Sequence, residues 1–513
     1  MMINLSKKNI KQIKPQEGLI IPDEKIFSLP EKVLQFGTGV LLRGLPDYFI
    51  DKANRQNIFN GRVIVVKSTN SGGTDAFETQ NGLFTLCEKG IENNQKIDEV
   101  IINSSISRVL SAKEEWNKIL QCASNANMQL IISNTTEVGI TLVDDDVNAN
   151  PPVSFPGKLL AFLLARFHAF NGSIESGMVI VPTELIVDNA TKLKSIVVEL
   201  AKQNSLGDEF INWIETANDF CNSLVDRIVP GKLSQAEQKT TEEKLGYSDE
   251  LMIMSESYRL WAIETTNERS KKILSFAKVD SGVIIADNID VYRELKLRLL
   301  NGTHSFTCGL AFLAGFRTVK DAMANATFFS FETTLMMEEI APSIVYDRLS
   351  LLDARDFAMK VLDRFRNPYI EHQWISITMQ YSSKMKMRNV PIILKNYERN
   401  GFVSDVMAFG FAAYILFMKS EMNTQNEFVG KINDKEYKIT DDHAALLNSI
   451  WKNNTDVYEV VEQILSNQLL WGTNLSLLNG FSKKITQYIK SFLTIGILES
   501  LQLFQSNKTS AQA

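Results

Sequence analysis

Up to about residue 286 the chain alternates short continuous apolar runs with longer segments whose apolar positions recur at helical spacing. Residues 32–36, Lys-Val-Leu-Gln-Phe, predict a strand behind the lead-in Ser28-Leu29-Pro30 and run directly into Gly37-Thr38-Gly39. Residues 40–56 have helical texture, with Pro46 in the first turns or bending the helix. Further strands are expected at 63–66, 129–132, 178–181 and 282–285, and helices at 112–123 and 157–169. Strand, helix and strand at this spacing point to βαβ units and a mainly parallel sheet. Beyond Asp290 the strand candidates thin out, and helical stretches at 291–319, 354–364, 403–419 and 441–451 dominate. The expected architecture is an α/β domain at 1–286 followed by a mainly α-helical domain at 287–513. Residues 420–426 read as a surface loop and 505–513 as a frayed tail.

Charge and composition narrow the class. With 54 Lys+Arg against 60 Asp+Glu the formal charge is -6, so no nucleic-acid footprint is expected, although a local basic patch could still take a small anion. Charged residues at 22% and hydrophobic ones at 44% indicate a globular chain. The longest apolar run, residues 406–418, is too short to span a bilayer and reads as a buried helix. The polar start has no signal-peptide core, and Cys87, Cys122, Cys221 and Cys308 contain no CxxC pair, so a reduced, cytoplasmic setting is expected.

Gly37-Thr38-Gly39 follows a strand and opens a helix, the context in which glycines let backbone N–H groups approach a pyrophosphate. Leu42 stands where the third glycine is usual, Gly44 comes two residues late, and Arg43 is placed to reach phosphate or ribose. No acidic residue ends the second strand, where Lys67 stands, so the residues alone leave NAD against NADP open. The polar run 133–139 offers Asn134 and Thr135 as cofactor contacts, or is a plain loop at a strand end. In the segment 222–230, Asp226 beside Arg227 is a candidate cofactor contact or a structural ion pair.

Four histidines without HExxH or a Cys/His cluster supply no evident metal site. A metal-free alcohol dehydrogenase needs another proton carrier and oxyanion donors. Residues 292–304 contain Lys296, Asn301 and His304. On a straight helix Asn301 and His304 share a face, while Lys296 lies about 80° from His304 and about 140° from Asn301. A bend at Asn301-Gly302 would tighten the arc. Asn189 is a further candidate donor, and the cationic run 382–388, with Lys384 and Arg388, suits an acidic substrate or a solvated turn.

The segments QFGTGVLLRG (35–44), IVDN (186–189), NSLVDRIVP (222–230), LWAIE (260–264), KLRLLNGTH (296–304), RFRNPYIEH (364–372) and SSKMKMR (382–388) resemble the long-chain mannitol dehydrogenase family, most closely its keto-uronate-reducing branch. The resemblance implies a Rossmann-type N-terminal domain, a helical C-terminal domain, an active site in the cleft, NAD as cofactor and no metal. It implies Lys296 as general base, Asn189 and Asn301 as the oxyanion pair, and His304 as the substrate-positioning histidine. Asn189 is followed by Ala-Thr-Lys and not by the Pro and Asn-Gly of mannitol-oxidising members, which points away from mannitol. The expected reaction is the reversible reduction of tagaturonate to altronate. Alternatives are the fructuronate/mannonate pair, a neutral polyol, or a non-catalytic dinucleotide sensor.

Overall fold

Continuous apolar runs build the central strands of the first sheet, buried on both faces, with partly exposed strands at its edges. In the computed structural model, which describes residues 2–68, 73–135, 139–432 and 435–512, these are β1 (Glu31–Phe36), β2 (Arg62–Lys67), β3 (Ile106–Ser111), β4 (Leu130–Ser133), β5 (Val179–Pro182) and β6 (Asp219–Phe220). They make one all-parallel sheet in the order β6-β5-β4-β1-β2-β3. Alternate side chains enter opposite cores. Leu34, Phe36, Ile64 and Ile131 pack with helices Phe155–Ala169 and Asn189–Gln203, while Val33, Val63, Val65 and Ile132 pack with Tyr48, Phe49 and Trp261. The strand order reverses at β1, so the loops after β1 and β4 border a crevice at the carboxyl edge, where ligands bind in doubly wound sheets.

The chain divides into two compact units, Met1–Gly90 with Gln95–Ile289, and Ile91–Asn94 with Asp290–Ala513. In the first unit the helical stretch 40–56 is two helices, α1 (Val40–Gly44) and α2 (Pro46–Arg55), separated at Leu45 (φ −132, ψ −79). Pro46 opens the second, where its missing N–H costs nothing. Sequence periodicity did not predict strands at 84–103. Phe84–Glu92 and Gln95–Asn103 nonetheless neighbour each other in a four-stranded sheet, joined at Asn93 and Asn94, both at positive φ. Asn tolerates the left-handed conformation that a two-residue hairpin turn requires.

In the second unit the expected helix 291–319 is interrupted. It runs as α3 (Asp290–Leu295), a π-helical turn at Lys296–Gly302, and α4 (Thr303–Leu313). Two further helices are α5 (Leu351–Phe365) and α6 (Asp405–Phe417), the latter being the apolar run expected to be buried. α4 and α6 approach through glycines. A Cβ on Gly410 would lie 2.7 Å from the Phe306 carbonyl oxygen, and one on Gly309 would lie 3.3 Å from that of Ala413. The segment 420–426 contributes the short strand Glu421–Met422 to a three-stranded sheet, and helix Ile497–Gln512 extends into the segment read as a tail.

Candidate active site

The glycine turn is built for close approach. Gly37 has φ +129, and a Cβ there would lie 2.9 Å from Leu42 Cδ1 and 3.0 Å from the Asn134 carbonyl oxygen. The loops after β1 and β4 thus meet at a position only glycine can occupy. Gly39 is exposed, and a Cβ on it would meet nothing within 4 Å, which leaves its backbone open to a ligand. Thr38 between them is half-buried. Gly44 supplies the packing role of a third glycine two residues late, since a Cβ there would sit 2.8 Å from Val229. Beneath the turn, Gln35 Nε2 donates to the Asp47 carboxylate (3.2 Å), and burial pushes the Asp47 carboxyl up to about 7.

Arg43 differs from expectation. It is 6% exposed, donates to the Leu251 carbonyl (2.6 Å) and lies over the rings of Phe77 and Phe84, so it anchors α1 from below and does not reach toward a phosphate. Asn134 and Thr135 border the crevice with committed side chains. Asn134 Nδ2 donates to the Thr183 carbonyl (3.1 Å) and hydroxyl (3.0 Å), while the Thr135 N–H (2.8 Å) and hydroxyl (3.0 Å) donate to Glu184. Residues 136–138 of that loop lie outside the described residues. Asp226 ends strand Ser223–Asp226, paired antiparallel with Leu260–Glu264, and is 8% exposed. Its neighbour Arg227 is structural: it donates to the Gly44 and Glu256 carbonyls, pairs with Glu88 and stacks over Tyr48. The open backbone at Gly39 and the loop at Asn134 and Thr135 border the crevice at the carboxyl edge of the sheet, where dinucleotides bind in doubly wound folds.

In the second unit Lys296 begins the π turn and Asn301 lies near its end. In such a turn the advance per residue falls to about 80°, so positions five apart are about 40° from alignment, against about 140° on an α-helix. The widened turn therefore brings Lys296 and Asn301 toward one face, with His304 one turn on. A widened turn also leaves carbonyls in need of donors. A second π turn, Met385–Asn389, supplies them: Asn389 Nδ2 donates to the Gly302 carbonyl (2.8 Å) and Arg388 to that of Asn301 (3.4 Å). Arg298 reciprocates to the carbonyls of Met387 and Arg388, both at 2.8 Å. Arg388, expected to read a substrate carboxylate, thus spends one nitrogen holding the Asn301 turn. Asn389→Ala should leave the buried Gly302 carbonyl unpaired at a cost of about 1–3 kcal/mol. Calorimetry should show a Tm lower by several degrees, and kcat should fall more than KM changes. An unaltered Tm and kcat would show that the turn is held by other means.

The two asparagines expected to act as a pair are in opposite states. The Asn301 side-chain amide makes no hydrogen bond with the described residues and is half-buried. Asn189 is fully buried, and its Nδ2 donates to the carbonyls of Pro182, Glu184 and Ser223, each at 3.1 Å. Its Oδ1 accepts from the N–H groups of Ala190 and Ser223. Asn189 therefore ties three segments together and has no donor left for an oxyanion, a correction to its expected role.

His304 is 7% exposed, stacked on Phe365 (4.1 Å between centroids) and edge-on to Trp374 (5.6 Å) and His372 (5.4 Å). Its Nδ1 is buried without a partner. Burial, then His372, Arg364, Arg388 and Lys384, hold its pKa well below the usual value. Lys384 Nζ donates to the Ile377 carbonyl (2.8 Å), and burial, then Arg388, lowers its pKa.

Sequence reasoning missed Glu184, which orders the loop after β4, and Asn389 and Arg298, which hold the paired turns. The Pro-Thr-Glu run after β5 was a visible signal for the first. Pairing of two distant helical irregularities left none. Among the described residues no three His, Cys, Asp or Glu side chains gather as a metal site, and no helix is long and apolar enough to cross a membrane.

Family models for the mannitol dehydrogenase Rossmann domain and C-terminal domain match residues 31–274 and 288–493. The chain is 35% identical over 479 residues to the altronate oxidoreductase of Bacillus subtilis (93% of this chain, 95% of that one). It is 33% identical over 481 residues to the altronate oxidoreductase of Escherichia coli K12 (92% and 96%). The fold is shared with Pseudomonas fluorescens mannitol 2-dehydrogenase, solved with NAD and D-mannitol (TM-score 0.65, 21% identity, 98% of this chain and 100% of that one). A D-sorbitol dehydrogenase shares it as well (TM-score 0.77, 17% identity, 97% and 100%). With its glycine turn at the switch point of a parallel sheet and its Lys296–His304 segment, this chain belongs to the mannitol dehydrogenase family.

Proposed function

We propose that this chain is an NAD-dependent altronate oxidoreductase catalysing D-tagaturonate + NADH + H⁺ ⇌ D-altronate + NAD⁺. NAD, when bound at the Gly37–Gly39 turn, supplies the hydride acceptor or donor. Protonated Lys296 delivers the proton to the carbonyl oxygen in reduction and, when neutral, removes it from the hydroxyl in oxidation. Asn301 donates its amide N–H to the oxygen as negative charge develops. His304, fixed by Phe365 and Trp374, orients the sugar, and Lys384 faces its acidic end. Asn189 holds the loop after β5 to the strand Ser223–Asp226.

The observation carrying this reading is the unspent Asn301 amide in a turn that begins at Lys296. The full-length similarity to altronate oxidoreductases supports the choice of substrate. Initial rates of NADH oxidation with tagaturonate, fructuronate and fructose test it. Tagaturonate should be the best substrate, with NADH preferred over NADPH. Fructose as the sole good substrate would defeat the acidic-substrate reading.

A further inference from the structure

Under the glycine turn, Gln35 of β1 and Asp47 in the first turn of α2 are both fully buried and share one hydrogen bond, from Gln35 Nε2 to Asp47 Oδ2 (3.2 Å). The same Nε2 lies 3.5 Å from the Gly37 carbonyl oxygen, so the pair touches the turn itself. The other oxygen of each group, Asp47 Oδ1 and Gln35 Oε1, has no donor among the described residues. A carboxylate and an amide oxygen only accept, so with Asp47 ionised both oxygens stay unanswered in the interior. One proton on Asp47 Oδ1 changes this, because it donates to Gln35 Oε1 and completes an acid–amide pair. The charged neighbours are engaged elsewhere. Arg43 on α1 donates to the Leu251 carbonyl (2.6 Å), and its buried Nε makes no hydrogen bond. Asp51, one turn along α2, accepts from the Ser104 N–H and hydroxyl (both 2.8 Å) and from Arg55 Nε (2.9 Å). Asn103, from the strand Gln95–Asn103, donates to the Asp47 backbone carbonyl (3.0 Å) and not to its carboxyl. Arg227 is held by the Gly44 carbonyl and Glu88, and Asp249, beyond Arg43, accepts from Gln80 and the Leu251 N–H.

We propose that Asp47 is a positioning residue that works as a neutral acid paired with Gln35, and that this pair sets the Gly37–Gly39 turn for the dinucleotide and makes cofactor binding proton-linked. This rests on NAD(H) binding at that turn, as above. Burial raises the Asp47 carboxyl to about 7 against the opposing pull of the Gln35 bond and of Arg43, and the Asp51 charge adds to the rise. Near neutral pH the ligand-free chain therefore carries this proton in only part of its molecules. A pyrophosphate brings negative charge to the same turn and disfavours a second anion under it, so the complex holds the proton more firmly. The sign follows from linkage. Affinity is greatest below about pH 7 and falls as pH rises toward the higher value of the complex.

The test is titration of the full chain with NADH between pH 6 and 9, by fluorescence for affinity and by calorimetry in buffers of different ionisation enthalpy for proton uptake. Wild type should lose about tenfold in affinity across that range, the effect of a one-unit shift in one carboxyl, and should take up protons on binding near pH 7.5. Asp47→Asn puts an amide N–H where the acid O–H stood, so it should carry the low-pH affinity up to pH 9 and bind without that uptake. Asp47→Ala has no partner for Gln35 and should weaken NADH at every pH. Thermal unfolding without NADH reads the proton separately. The folded chain keeps it while the unfolded chain releases it near pH 4, so the Tm of wild type should fall relative to Asp47→Asn from pH 5 to 7 and level off above. Asp47→Asn weakening NADH at pH 6 as much as Asp47→Ala does, or sharing the wild-type pH profile, would overturn the neutral pair. Absence of NADH binding at every pH, with the Tm difference intact, would instead defeat the cofactor reading of the turn and leave the acid–amide pair standing.

Discussion

Lys296→Ala should lower turnover about 10³-fold in both directions, roughly 4 kcal/mol of transition-state stabilisation, while NADH affinity stays within about twofold. Lys296 opens the π turn of the second unit, whereas the glycine turn, Asn134 and Thr135 belong to the first. Leu299 and Leu300 carry the buried face of the turn. Stopped-flow NADH binding and steady-state rates on the same preparation separate the alternatives. A parallel loss of cofactor binding and turnover would assign Lys296 to structure.

Asn301→Ala should cost about 10²–10³-fold in kcat with a smaller change in KM, the loss expected for one oxyanion donor. Its amide is uncommitted among the described residues, so the substitution removes no internal hydrogen bond and Tm should stay near that of the wild type. Asn189→Ala should behave in the opposite way. It strips partners from three carbonyls and two N–H groups in the core, so it should lower stability by several kcal/mol. Thermal unfolding and kcat measured on both variants read the difference. A stable Asn189→Ala with a lost kcat, or a destabilised Asn301→Ala with normal turnover, would reverse the roles assigned to the two residues.

The fold class was legible because burial on both sheet faces forces continuous apolar runs, and those at 32–36, 63–66, 129–132 and 178–181 became β1, β2, β4 and β5. The hairpin at 84–103 was not. Its outer half is exposed and charged, so no apolar period marks it, and its turn depends on two asparagines in the left-handed region. Pro46 was read as lying in the first turns of one helix or bending it; the structure has two helices with a break at Leu45, and the proline starts the second.

At the site, residue types were legible but their commitments were not. Nothing in the sequence tells a spent amide from a free one, since Asn189 and Asn301 differ only in which carbonyls tertiary packing brings to them. Arg43 follows a glycine turn in sequence, yet burial against Phe77 and Phe84 turns it inward. The π turn is equally silent, because its extra residue is stabilised from Met385–Asn389, more than eighty positions away.

Amine rescue of Lys296→Ala measures the proton role most directly. In the NADH- and altronate-binding variant, added methylamine or ethylamine should restore altronate oxidation in proportion to amine concentration. The rescued rate should rise with amine basicity. Turnover that stays at the crippled level at every amine concentration, in protein that still binds both ligands, would contradict proton transfer by Lys296.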